Sequence, residues 1–116
     1  MALKKSNPRL KVLLAVGGWR AGSAPFVAIV DSASTRRTFA NNAAKFVRQH
    51  GFDGLDVDWE FPGSRGSGPE HKALFTQLLK VRCRLNPAPP VTLQLTVDIV
   101  NEVFSPRSLR HVVDLK

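Results

Sequence analysis

Tyrosine does not occur in this chain, cysteine and methionine occur once each, and 9 acidic residues face 17 lysines and arginines in 116 residues. Each shortage closes a class of explanation. A lone cysteine, Cys83, excludes an internal disulfide and a metal site built on thiolates, and reads as a small packing residue on a helix. No apolar run approaches the roughly 18–20 residues needed to span a bilayer, and Met1–Arg9 lacks the apolar centre expected of a signal peptide. The net charge of +8 raises the question of an anionic partner. The bases are spread along the chain, however, with Lys4-Lys5 and Arg36-Arg37 the tight pairs, and aromatics are not interleaved among them as in single-strand binders. A solvated basic surface is expected, with neither nucleic acid nor membrane as partner. At 43% apolar and 22% charged, the composition is that of one globular domain with a modest core.

The scarce acids are not scattered. Four of the nine fall in Gly51–Gly63, a stretch without a single base. As a strand, Leu55 to Phe61 alternates strictly, placing Asp56, Asp58 and Glu60 on one face and Val57 and Trp59 on the other. In a sheet covered by helices the apolar face packs outward against them, so the acids point into the opposite layer. Side chains two residues apart on a strand are roughly 6–7 Å apart. At an effective dielectric of about 20, two unit charges there repel by roughly 2–3 kcal/mol, so the three acids hinder one another's ionisation and one is expected to keep a proton near neutral pH. A protonated carboxyl is what general acid catalysis requires.

The rest of the chain supplies a frame for that strand. Leu10–Val16 reads as a buried parallel strand ending at Gly17-Gly18, a turn that brings backbone close to something, with Trp19 just beyond. Ala21–Val30 reads as loop or a short helical turn. A helix capped by Ser32 or Ser34 follows, with Phe39, Ala43, Phe46, Val47 and His50 on one face and Gly51 as terminator. After the acidic strand, Pro62–Gly68 is a loop at the strand's C-terminal end, where α/β proteins put their sites. Ser67 and Glu70 have capping-box spacing for a helix running to about Asn86, with Leu74, Phe75, Leu78, Leu79, Arg82 and Leu85 inward and His71 at the surface. Val91–Val97 reads as a third parallel strand, and Ser105-Pro106 opens a last helix carrying His111. The pattern is strand and helix repeated three times.

Asp53-x-x-Asp56-x-Asp58-x-Glu60 after Gly51-Phe52, with Trp59 inside and Pro62-Gly63 following, resembles the signature of family 18 glycoside hydrolases, the chitinases. Upstream, Leu10-Lys11-Val12-Leu13-Leu14-Ala15-Val16-Gly17-Gly18-Trp19 resembles the family's other strand motif, and Ser64-Arg65-Gly66-Ser67 resembles arthropod-type members. The resemblance implies part of a (β/α)8 TIM barrel, about three consecutive βα units covering barrel strands 3 to 5, with residues 1–116 one part of a single catalytic domain. It implies Glu60 as general acid, Asp58 as the residue orienting the substrate's acetamido group, and Asp56 sharing a proton with Asp58. Trp19, Gly18, Asp53 and Phe61 complete the implied substrate site, Asp53 also fixing the start of the strand. Chitin or chito-oligosaccharide is the implied partner, with no metal or other cofactor and an extracellular setting.

The sequence departs from the family at Ala15, where many members have serine, at Arg20 in place of asparagine, and at Phe61 in place of tyrosine. Asp98 and Glu102 stand where small residues are common, either lining a cleft or in a solvated loop. The family's later Met-x-Tyr-Asp strand has no counterpart here. On this reading the chain is an internal portion of a barrel, whose outer strands alone would be open, aggregation-prone edges, and the isolated chain is inactive. Two other classes stay open: an inactive chitin-binding relative, and a magnesium-dependent hydrolase or phosphoryl enzyme using Asp56 and Asp58.

Overall fold

The computed structural model describes residues 2–81 and 92–94. A short helix α1 (Ala2–Ser6) precedes β1 (Leu13–Gly17), which leads through a 3-10 turn (Trp19–Ala21) into α2 (Ala24–Val30) and α3 (Ala33–Gln49). Then come β2 (Gly54–Asp58), α4 (His71–Leu79) and β3 (Thr92–Gln94). The three strands form one parallel sheet in the order β1-β2-β3, with β2 central. The architecture is therefore α/β, with helical connections between parallel neighbours.

Local chemistry explains the boundaries of α3. Ser32 Oγ accepts from the Thr35 amide at 3.0 Å while Thr35 Oγ1 accepts from the Ser32 amide at 3.1 Å, a reciprocal cap on two otherwise orphaned donors. At the other end Gly51 adopts φ 73°, which lets its amide reach Arg48 O and the Phe52 amide reach Val47 O at 2.8 Å. This is the closing pattern of a Schellman motif, available cheaply only to a residue without Cβ. It turns the chain directly into β2.

The core lies on one side of the sheet. Leu55, Val57 and Trp59 are 2%, 1% and 0% exposed and pack with Phe26, Val30, Ala44, Val47, Phe75 and Leu78 from α2, α3 and α4. Fully burying one such aliphatic side chain contributes roughly 1.5–3 kcal/mol, so the helix-facing half of β2 holds this layer together.

Several expectations need correction. For Ala21–Val30 the helical alternative holds, and the helix is longer than the short turn expected, Ala24–Val30 with Pro25 in its first turn. On α3 the inner face is Arg36, Ala40, Ala44 and Val47, not the stripe running through Phe46 and His50. Arg36 explains the rotation: its buried guanidinium donates to Val30 O at 2.5 Å and Gln77 Oε1 at 2.8 Å, tying α3 to the end of α2 and to α4. Phe46 is in consequence 47% exposed, and with Leu14, Val16, Ile29, Phe39 and Ala43 it lines an open apolar groove of about 640 Å3 beside β1. Ser67 does not cap α4, because its hydroxyl is engaged inside the preceding loop, and α4 closes at Leu79 instead of near Asn86. His71 is not a surface residue; its side chain is only 12% exposed, edge-on to Trp59. β1 and β2 are shorter than expected, Leu10–Val12 lying outside β1 and Trp59–Phe61 outside β2, and positions 91 and 95–97 of the expected third strand lie outside the described residues. Arg82, Cys83, Leu85, Asp98, Glu102, His111 and the last helix lie outside the described residues.

Candidate active site

The site is built on the face of β2 that the helices leave uncovered. The strand's burial alternates, with Leu55 and Val57 buried and Asp56 and Asp58 half-buried; the alternation continues past the strand through buried Trp59 to half-buried Glu60. Asp56, Asp58 and Glu60 therefore share one side, the two aspartates on the strand and the glutamate just beyond its C-terminal end. Beside them on β1 stand residues that take almost no room: Ala15 is in register with Asp56, and Gly17 with Asp58.

Gly17 has to be glycine. Its φ is 118°, and a Cβ there would lie 2.0 Å from the Asp58 carbonyl oxygen and 2.7 Å from the Phe26 ring. The close approach lets the Gly18 amide donate to that same carbonyl at 2.8 Å. Gly18 also brings its own α-carbon up to the carboxylate, where a Cβ would sit 3.5 Å from Asp58 Oδ2. The Gly-Gly turn thus locks the end of β1 onto the residue that carries the second aspartate, and Asp58 Oδ1 is closed off from solvent.

Trp59 anchors the strand end from behind. Its ring stacks on Phe26 with centroids 5.2 Å apart and takes Phe75 edge-on at 5.3 Å, while its indole N–H donates to Ser23 Oγ at 3.1 Å. Ser23 is 2% exposed and passes the interaction on, donating to Ser64 O at 3.1 Å. Ser67 Oγ in turn accepts from the Gly63 and Ser64 amides at 2.8 and 3.1 Å. The loop after Glu60 is fastened to the core by hydroxyls. The Glu60–Phe61 peptide bond is cis.

At the mouth, Trp19 is 61% exposed, with Phe61 edge-on at 6.4 Å and the Arg65 guanidinium 3.8 Å above its ring centroid. Arg65 also donates to Glu60 O at 3.2 Å and Trp19 O at 3.1 Å. Trp19, Gly18, Phe61, Asp58 and Glu60 are thus brought together by the ends of β1 and β2. Ser23 and Arg65 were missed by sequence reasoning. Arg65 carried one signal, as the first base after a stretch of acids; Ser23, 36 residues from its indole partner, carried none.

Asp53 does not belong with them. It stands before β2, at the opposite end of the sheet, where its carboxylate accepts from the Val12 amide at 2.7 Å and pairs with Lys4 Nζ at 2.6 Å and Lys11 Nζ at 3.7 Å. The hydrogen bond from Lys4, then that from Val12, hold its carboxyl below the ordinary value of 3.8. The Asp53 amide returns a bond to Val12 O. It stands apart from the other residues of the implied substrate site and, in keeping with a role in fixing the start of the strand, clasps α1 to the segments that lead into β1 and β2. His50, stacked on Phe46, ends α3 away from the site. Among the described residues no three His, Cys, Asp or Glu side chains are grouped to hold a metal ion.

The sequence profile of glycosyl hydrolases family 18 matches residues 1–101. Chitotriosidase-1 of Mus musculus is 54% identical over 79 residues, which are 68% of this chain and 17% of that protein. Among solved structures, the Group IV chitinase of Ostrinia furnacalis in complex with allosamidin superposes with a TM-score of 0.65 at 41% identity, over 68% of this chain and 22% of the other. Human YKL-39, described as a pseudo-chitinase with retained chitooligosaccharide binding, gives 0.63 at 32% identity over 83% of this chain and 27% of its own. The chain spans a small part of the length of each relative.

Proposed function

The chain belongs to glycosyl hydrolases family 18, and on that premise we propose that it is part of the catalytic domain of a chitinase acting outside the cell. Its three strands are consecutive strands of a (β/α)8 barrel, strands 3 to 5, and residues 1–116 form one portion of that single domain. The substrate is a polymer or oligomer of β-1,4-linked N-acetylglucosamine. What carries the reading is the common face of Asp56, Asp58 and Glu60 at the C-terminal end of parallel strands, opposite the core-facing Leu55, Val57 and Trp59. Sites of parallel α/β sheets lie at that end.

In this reading Glu60 donates its proton to the glycosidic oxygen as the bond to the leaving sugar breaks. The carbonyl oxygen of the substrate's own acetamido group attacks the anomeric carbon, so no enzyme nucleophile is needed and retention follows. Asp58 orients that group and balances the positive charge of the oxazolinium intermediate, and Asp56, behind it on the strand, shares a proton with it. Glu60, now ionised, then takes a proton from the water that opens the ring. Trp19 offers a flat apolar surface to a pyranose, with Phe61 and Gly18 beside it. The division of labour has a physical basis: Asp58 is held against the Gly17-Gly18 turn, whereas Glu60 stands half-buried past the strand end.

The test is Glu60→Gln in the protein that completes the barrel, which keeps the side chain's size and removes its ionisable proton. Hydrolysis of a chito-oligosaccharide is expected to fall by at least about a hundredfold, and retention of more than about a tenth of the activity sinks the assignment. A second reading, binding without hydrolysis, draws support from the similarity to YKL-39. It predicts that the unaltered protein binds chito-oligosaccharides and releases no product.

A further inference from the structure

We propose that Arg65 is a positioning residue that stacks on the Trp19 indole and fixes the orientation in which the ring meets a sugar; this rests on the reading of Trp19 as a pyranose platform. Arg65 makes three contacts with two different loops. Its guanidinium lies 3.8 Å from the centroid of the Trp19 ring and donates to Trp19 O at 3.1 Å and to Glu60 O at 3.2 Å. The two carbonyls are main-chain groups of the segments after β1 and β2, so one exposed guanidinium ties both segments to the ring. Trp19 keeps 61% of its surface exposed beside that contact. One edge of the ring meets Phe61. A planar fork that stacks and bonds to two carbonyls at once is specific to arginine; an ammonium offers a point charge without the plane.

The backbone beneath Arg65 is itself held. Ser64, its neighbour, accepts from Ser23, which accepts from the fully buried Trp59, and Ser67 closes the loop on its other side. Arg65 has φ 51°, a conformation that side chains other than glycine, asparagine and aspartate seldom adopt. A residue without Cβ would be more comfortable there, so the loop's own geometry does not call for arginine. The contacts to Trp19 and Glu60 do.

That conformation provides a clean experiment. Arg65→Gly removes the guanidinium and adds no backbone strain, because glycine accepts the φ of 51° at this position. Of the two tryptophans, Trp59 is fully buried, so acrylamide quenching of the chain reports Trp19. In Arg65→Gly the quenching constant rises and the emission anisotropy falls, with Arg65→Lys intermediate. In the protein that completes the barrel, KM for a chito-oligosaccharide rises roughly two- to fivefold in Arg65→Gly, the loss expected from one exposed cation–π contact. Unchanged quenching in Arg65→Gly overturns the proposal. So does a lowered KM, which would mean that the guanidinium plugs the face a sugar needs. Absence of hydrolysis and binding in the unaltered complete protein defeats the chitinase reading instead, and the quenching series still decides whether Arg65 pins the ring.

Discussion

Gly17→Ala is the substitution that most directly tests how the site is assembled. A methyl at position 17 would lie 2.0 Å from the Asp58 carbonyl oxygen and 2.9 Å from its carbonyl carbon, on one side, and 2.7 Å from the Phe26 ring. The backbone partner cannot swing away without opening the end of β1 from β2. Three costs follow: a residue with Cβ at φ 118°, the strain of separating packed groups, and loss of the hydrogen bond from Gly18 to Asp58. Together they come to roughly 3–5 kcal/mol, comparable with the whole stability of a small domain. The control is Gly51→Ala, where φ is 73° but nothing lies within 4 Å of the new methyl; it should cost only about 1 kcal/mol, for the backbone conformation. Urea unfolding followed through the near-ultraviolet signal of buried Trp59 gives both values. Gly51→Ala should lower the midpoint by less than about 1 M, and Gly17→Ala by more than about 2 M or to the point of no folding. Equal shifts for the two alanines would refute the reasoning, because they would mean that the close approach to Asp58 is not what position 17 enforces.

Other outcomes follow from the same geometry. Ser23→Ala leaves the buried Trp59 N–H and the Ser64 carbonyl without their shared hydroxyl; a loss of roughly 2–3 kcal/mol is expected in urea, and a loss under about 0.5 kcal/mol would show that the relay does not matter. Asp53 has its carboxyl held low by Lys4 and Val12, so its contribution is complete above its unfolded value and is lost as pH falls through the lower folded one. Stability of the unaltered chain should therefore decline on acidification below about pH 4, and Asp53→Asn, already without the clasp, should decline less steeply; parallel curves would count against the clasp. Glu60→Gln and the Arg65 series complete the set.

Much of the fold was legible because it depends on local patterns. The strict alternation from Leu55 to Glu60 needed no partner to be read: period two puts the acids on one side wherever the strand goes, and burial follows it residue by residue. Gly51 and a pair of candidate caps, Ser32 and Ser34, announced the ends of α3 for the same reason, since caps and left-handed terminators act within four residues, and Ser32 is the one that caps. The α3 face was misread because helical periodicity admitted two adjacent stripes. The choice between them was made by Arg36, whose two acceptors, Val30 O and Gln77 Oε1, belong to other helices.

Sequence alone, then, decided that Asp56, Asp58 and Glu60 face one way: acids two residues apart, with apolar residues between them, leave a strand little freedom. Tertiary structure decided what stands beside them. It moved Asp53 out of the site by giving its carboxylate to Lys4 and Val12, revealed why position 17 must lack a Cβ, and brought Ser23 and Arg65 to the strand's end. Spacing along the chain fixes the direction of a side chain, whereas its partners depend on which distant segments the packed core holds against it.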